Sequence, residues 1–425
     1  MEPLIITKKE ELEMILDQER SFLFPVLKDP KKHYCENLIS FLYGFTIRRR
    51  TEFLVGNGHY DLPAFETNVG QIRTKLEHIV YKKKYLIFHE NLIDAEMLNW
   101  ISNGEAIKIP ANSCIDFFHR KDLDNSIIPI YKWVEAIREI RDRILELHEP
   151  PVNVVHSYNT LINQLIKIEK NGLYIDRAAA IPDSESLERR LEYTEYNPCT
   201  LTGRPSNKFG GINYAALNKT DGTRRRFISR FEGGFLVEFD FQAFHINLIA
   251  KILKYSFPED PYTYLAKEFF NTSEPSDGQI RSSKELTFQQ VYGGVRPEYR
   301  QIEFFSRLDL LLKKIEMKNR EGSVKSFLFK KPIKSTDNHI KTFNYLLQNL
   351  ETEINSVVMS ELHEYLSKKR SKLILYTYDS FLFDYSPEDG RQTIRDIKKI
   401  LNKTGIDSRI KVGKDYHSMI SKELH

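Results

Sequence analysis

The alternation of apolar and polar positions changes period along the chain and divides it into two halves. Up to about residue 125, short apolar runs predict successive strands: "SFLFPVL" (21–27), "NLISFLYGFTI" (37–47), "TEFLVG" (51–56) and "KKYLIFH" (83–89). Amphipathic segments with helical spacing, such as "VGQIRTKLEHIVY" (69–81), lie between them, so this part reads as an α/β layer. A strongly periodic helix is predicted at 130–148. "PPVN" then breaks the chain, and a second helix covers 153–171 before the Asn171-Gly172 stop signal.

The second half opens with polar, irregular sequence at 177–222. It runs on through an apolar strand within "LVEFDFQAFHINLIA" (236–250), helices at 243–255, 260–270, 279–292 and 300–319, and a long helix at 337–367. "KLILYTYDSFLFDY" (372–385) reads as two apolar strands around a tight polar turn. A helix at 387–403 and a last strand, "SRIKVG" (408–413), follow.

Composition adds limits more than direction. The 425 residues allow two or three domains with sizeable cores, and 41% hydrophobic with 29% charged residues is ordinary for a globular protein. No apolar run reaches eighteen residues, so no membrane span is expected. The start, "MEPLIITKKEELEMIL", lacks the pattern of a secretion signal. Cys35, Cys114 and Cys199 are few and widely spaced, which fits a reduced compartment without structural zinc. A net charge of +4 permits a nucleic-acid partner without arguing for one. Basic clusters at 48–50, 82–84, 224–226 and 325–334 each read, taken singly, as solvated faces.

Two aspartates change the picture. Asp240 sits inside an apolar strand, where a charge is costly unless it is paired or holds a metal. Asp379 sits in the "TYDS" connection of the later hairpin. Strands of one antiparallel sheet can bring two such carboxylates together, and hard oxygen ligands with room for water and phosphate suit Mg²⁺. A pair of ions held so can activate a hydroxyl and steady a leaving oxygen. Asp is also a common turn residue, so the hairpin alone leaves both readings open. "RSSKELTFQQVYGG" (281–294) adds Lys284, Phe288 and Tyr292 at four-residue spacing on one helical face. Such a line is either core packing or a surface that offers a cation to phosphates and rings to sugar and base.

In order, these segments resemble the family A DNA polymerases, the bacterial DNA polymerase I group and its phage relatives, from about residue 150 to the end. "TLTGRPSN" (200–207) resembles the T-G-R-x-S stretch, with Arg204 as its arginine, and Asn213 in "GGINYAAL" fits the asparagine that follows. "LVEFDFQAFHINLIA" resembles motif A, with Asp240 as metal ligand. "KELTFQQVYGG" matches K-x₃-F-x₃-Y-G of the fingers helix, giving Lys284, Phe288 and Tyr292 roles at the incoming nucleotide. "NYLLQNLETE" fits the N-x₃-Q helix through Asn344 and Gln348, and "TYDS" takes the place of motif C with Asp379 as second ligand.

The resemblance implies an α/β and α+β multidomain chain. An RNase H-like, exonuclease-type domain would occupy 1–150, a reduced thumb or connector 151–200, and a right-hand polymerase domain 201–425 with palm and fingers (fingers about 255–340). It further implies primer extension with dNTPs by two Mg²⁺ ions, for which Mn²⁺ can substitute, on Asp240 and Asp379, with Lys284 at the leaving phosphates. Arg204, Asn213, Arg225, Asn344, Gln348 and Tyr378 would line primer-template DNA. The expected setting is the cytoplasm, a host's if the chain is phage-encoded.

Four departures qualify this. Ile280 stands where the family has an arginine before the fingers lysine, with Arg281 one place along as a substitute phosphate contact. His245 replaces the motif A glutamate that blocks a ribose 2′-hydroxyl. Tyr378 and Ser380 replace the usual His and Glu of motif C. Only about thirty residues separate "KNGLYID" (170–176) from "TGRP", so the thumb is short, and a processivity partner or other clamp is expected to compensate. In the N-terminal domain the D-x-E strand offers Pro25 and Leu27, leaving only Asp94 and Glu135 as acids, so proofreading is expected to be lost. Two rivals stand beside this reading: a single-subunit RNA polymerase or primer-synthesising polymerase, motivated by His245 and "YDS", and a catalytically silent DNA-binding replication subunit.

Overall fold

The computed structural model describes residues 150–176, 189–334 and 336–423. Nearer the N-terminus it describes positions 4–6, 21–27, 33–36, 39–46, 49–55, 86–88 and 92–103, with isolated positions 11, 14, 15 and 138. The helix read at 69–81, Cys114 and Glu135 lie outside the described residues, and of 130–148 only Arg138 lies inside. The chain divides into two compact units, residues 1–170 with 209–211, and residues 171–208 with 212–425.

The first unit holds a six-stranded sheet. Its strands are β1 (Leu4–Ile6), β2 (Ser21–Leu27), β3 (Ile39–Thr46), β4 (Glu52–Val55), β5 (Leu86–Phe88) and β6 (Leu92–Asp94), in the order β1-β4-β3-β2-β5-β6. β1 runs parallel to β4, and the other pairs are antiparallel. Among the described residues β2 pairs with β5 at Phe22 and Leu23, and Pro25 lies opposite Leu42 of β3. Gly44 faces Phe53 across β3 and β4, and a Cβ there would come within 2.0 Å of the ring. Helix α1 (Ala95–Asn103) and helix α2 (Val152–Asn171) meet through an edge-to-face contact of Trp100 on Tyr158 at 4.9 Å. The α2 core stripe Val154, Tyr158, Leu161, Leu165 and Ile168 follows the helical period.

The second unit is organised on a five-stranded antiparallel sheet. Between residues 177 and 222, which read as irregular, the described part forms short strands instead. β7 (Leu173–Asp176) pairs with β8 (Arg189–Glu192), and β9 (Tyr196–Asn197), β10 (Ser206–Phe209) and β11 (Ile212–Asn213) form a small sheet. Segments of two to four residues carry too little alternation to announce themselves.

The central strand β12 (Phe235–Phe241) leads into helix α3 (Phe244–Leu253). Helix α4 (Pro261–Phe270) starts on an Asp260 cap with proline in its first turn, and helix α5 (Asp277–Gly293) starts on a Ser276/Gln279 capping box. Helix α6 (Glu303–Arg320) and the 28-residue helix α7 (His339–Leu366) follow, the latter capped by Asn338. Strands β13 (Lys372–Thr377) and β14 (Ser380–Tyr385), helix α8 (Gln392–Asn402), β15 (Ser408–Gly413) and β16 (Ile420–Lys422) complete the order β13-β14-β12-β15-β16. Every residue of β14 is buried, which explains its nearly continuous apolar sequence. The helix read at 387–403 begins later, at Gln392, because Pro387–Asp389 forms a separate 3₁₀ turn.

Candidate active site

The central strand brings the two aspartates together. Asp240 pairs with Ser380 of β14, and the next residue, Phe241, donates its N–H to the Asp379 carbonyl at 2.9 Å. The hairpin turn places Tyr378 at φ 64°, a left-handed conformation that normally favours glycine, immediately before Asp379. Ala243, three residues after Asp240, is left-handed too at φ 46°. Tyr378 is held there from two sides: Asn355 Nδ2 donates to its carbonyl at 2.7 Å, and the Arg204 guanidinium lies 4.3 Å above its ring.

The Asp379 carboxyl is pushed up to about 6. Poor solvation in the site acts first, then the negative charges of Asp240 and Glu351, against the favourable Arg204. Negative charge is thus in excess here. Asp240 is not the buried charge its apolar neighbours suggested, since its side chain is 35% exposed at the strand end. The buried carboxylate of β12 is Glu238, which accepts from Tyr416 at 2.9 Å and from Lys411 Nζ at 3.2 Å. The same ammonium reaches Asp240 Oδ2 at 3.3 Å. Burial alone would lower the Lys411 pKa, but the two carboxylates outweigh it and raise it.

A second cluster centres on Glu351, fully buried on α7. Its Oε2 accepts from Arg204 Nε at 3.1 Å and from a terminal Arg204 nitrogen, and lies 2.7 Å from His245 Nε2. The other imidazole nitrogen, Nδ1, sits 2.5 Å from the Tyr292 hydroxyl. The Tyr292 phenol is pushed up to about 12, first by loss of solvation and also by Glu351 and Asp379, while Arg204 opposes. A buried carboxylate survives only with such partners. Gly203, at φ 73°, lets this loop close on α7, where a Cβ would lie 2.0 Å from Asn349 Nδ2.

Helix α7 gives the site its order. Asn344, Gln348, Glu351 and Asn355 fall within about 60° of one another around the helix, on one stripe about 16 Å long. Asn344 Nδ2 reaches the Tyr292 carbonyl at 3.4 Å, Glu351 holds Arg204 and His245, and Asn355 holds the aspartate turn. Glu351 shares the spacing of Asn344 and Gln348, and that period was the signal available to find it. Glu238 and Lys411 offered only the alternation of their strands.

The α5 stripe is not core. Ser283, Thr287, Gln290 and Val291 form the buried face, leaving Lys284 and Tyr292 exposed and Phe288 half-buried. Phe288 and Tyr292 rings lie 5.7 Å apart, and Lys284 Nζ stands 5.8 Å from the Phe288 ring and 5.7 Å from the Tyr262 ring. The other expected residues make no described contact with the aspartates. Arg281 is exposed and bonds the Asp277 carbonyl of its own helix. Of the 224–226 cluster, Arg224 is buried on the Leu217 carbonyl and the Tyr416 ring, and Arg226 pairs with Glu192. Arg225 alone is exposed. Asn213 is exposed on β11, and Gln348 is half-buried on α7.

Among the described residues no group of three or more His, Cys, Asp or Glu gathers as a metal cage. Two hard carboxylates with surplus negative charge, one already drawing an ammonium, nonetheless suit a cation such as Mg²⁺ that takes its remaining ligands from water and phosphate.

The fold is that of a nucleic-acid polymerase domain. One solved structure that shares it is the polymerase domain of Pol1 from M. smegmatis in complex with DNA primer-template and dNTP. It matches with a TM-score of 0.71 at 11% identity, over 98% of this chain and 99% of that one. No family model and no curated protein matches the sequence.

Proposed function

We propose that the chain is a template-directed DNA polymerase that extends a primer 3′-hydroxyl with deoxynucleoside triphosphates. The observation that carries the reading is the meeting of Asp240 and Asp379 at the end of a central antiparallel strand, in a fold shared with a polymerase domain.

Asp240 and Asp379 would hold two Mg²⁺ ions, with Mn²⁺ as a substitute. When bound, such ions lower the pKa of the attacking hydroxyl and neutralise the phosphates. Lys411 must release Asp240 as they load. Lys284, exposed on α5, would take up charge on departing pyrophosphate. Phe288 and Tyr292 offer ring faces to base and sugar, and His245, fixed between Tyr292 and Glu351, fills the space a ribose 2′-hydroxyl would need. Arg204, Arg225, Asn213, Asn344, Gln348 and Tyr378 are assigned to primer-template, with Arg281 as an outer phosphate contact. Template pairing supplies sequence specificity, and cations hold the backbones.

We read the first unit as a nuclease-type domain without nuclease chemistry, because β2 carries Pro25 and Leu27 where two acids would be needed. The short thumb region calls for a clamp or processivity partner.

The test is extension of a labelled DNA primer on a defined template, with dGTP or rGTP, with and without Mg²⁺. Extension with dGTP that needs Mg²⁺ and disappears in Asp240→Asn is expected. Preference for rGTP would transfer the reading to an RNA polymerase, and activity surviving Asp240→Asn would refute the assigned mechanism.

A further inference from the structure

One basic cluster takes no part in the proposed chemistry. "KSFLFKKPIK" (325–334) folds against the C-terminal half of α6 and the start of α7, and together they line a cavity of about 550 Å³. That volume lies in the range of sites that enclose ligand-sized groups, about 300–1,000 Å³, and is too small for a duplex.

Its rim is cationic. Lys314 and Lys318, one turn apart on α6, face Lys325 and Lys330 of the loop, and all four are exposed. None of the four forms an ion pair with a described carboxylate, and Glu321 is the single acid of the lining. The floor is apolar: Ile315 and Val324 are buried and Phe327 is half-buried, while Met317 stands 65% exposed at the edge.

The loop is built, not loose. Lys325 bridges Pro332, Ser326 N–H donates to the Lys331 carbonyl at 2.8 Å, and Lys331 N–H donates to Ser326 Oγ at 2.9 Å. Its tip is tied to α7, where the buried Glu353 accepts from Leu328 N–H at 2.8 Å. Lys330 takes a left-handed φ of 65° and donates through Nζ to the Phe327 carbonyl at 2.7 Å.

We propose that this lysine-rimmed cavity binds single-stranded nucleic acid, seating a base on Phe327 and Met317 with phosphates on Lys314, Lys318 and Lys325. Cations that track a backbone beside an aromatic platform form the general design of sequence-tolerant strand binding. The charge balance fits a polyanion, and the ring gives bases a face that an acidic peptide would leave unused. The inference rests on the reading of the chain as an enzyme of nucleic acid, in which an unpaired template stretch needs a path outside the duplex site.

The experiment measures binding of the full chain by fluorescence anisotropy at several salt concentrations. The probes are a labelled oligothymidylate of about twelve nucleotides, a blunt duplex, and a Glu-rich peptide. In Lys314→Glu/Lys318→Glu/Lys325→Glu, oligothymidylate affinity should fall about tenfold or more, and the slope of log affinity against log salt should shrink by about 2. Blunt-duplex affinity should hold. Phe327→Ala should weaken the single strand several-fold with an unchanged salt slope. Unchanged oligothymidylate binding, an equal loss on blunt duplex, or peptide binding that exceeds single-strand binding would each overturn the proposal. Absence of primer extension alongside the expected binding pattern would sink the polymerase reading alone.

Discussion

Glu351 and His245, 106 positions apart in sequence, meet at 2.7 Å, and the same carboxylate oxygen takes the Arg204 guanidinium. One buried acid thereby fixes an imidazole on the sugar side of the proposed site and an arginine on the turn that carries Asp379. Glu351→Gln should leave Arg204 and His245 without their counter-charge and cost about 3 kcal/mol of stability, read by denaturant unfolding. It should also loosen discrimination between dGTP and rGTP in primer extension. Unchanged stability would show that the cluster is not energetically coupled.

The sugar-discriminating role proposed for His245 rests on its place between Tyr292 and Glu351. His245→Ala should lower the ratio of dGTP to rGTP incorporation by about tenfold, as a vacated pocket admits the extra hydroxyl. Tyr292→Phe, which removes only the hydroxyl bonded to Nδ1, should cost about 1 kcal/mol of stability and shift that ratio less.

The aspartate pair should be indispensable to chemistry and dispensable to DNA binding. Asp379→Asn is expected to slow extension about a thousandfold or more, with primer-template affinity within a few-fold of the parent. Gel-based extension beside anisotropy separates the two.

The raised Asp379 pKa gives a pH signature with a definite sign. The folded chain holds this proton up to about 6, against 3.8 for an ordinary aspartate, so its contribution favours folding below about 4 and is lost as pH rises through 6. Metal-free protein should therefore lose thermal stability over that interval, and Asp379→Asn should flatten the slope. Added Mg²⁺ should raise Tm at pH 7.5 and have little effect at pH 5, where the carboxyl is protonated.

A heparin trap added with nucleotides limits extension to one binding event. Short products from the chain alone are expected on the proposed reading of a reduced thumb. Long products under the trap would contradict the need for a clamp.

What was legible in the sequence follows from range. Asp240 and Asp379 stand out because their strands are apolar, and Lys284, Phe288 and Tyr292 because a four-residue period survives in the letters. Glu351 with His245, and Lys411 with Glu238, are pairs made by folding across more than a hundred positions, which no local pattern encodes. Arg224 misled in the other direction: it reads as part of a basic patch, yet it is buried on the Leu217 carbonyl. The short strands after residue 188 are set by their partners, and their own residues give little warning.

Helix α7 carries a further consequence. Because Asn344, Glu351 and Asn355 project from one rod, helix α5, the His245 imidazole and the acidic turn are measured from a common ruler. An axial slip of the rod would displace all three references together, so their mutual spacing outlasts motion that would scatter a site assembled from separate loops.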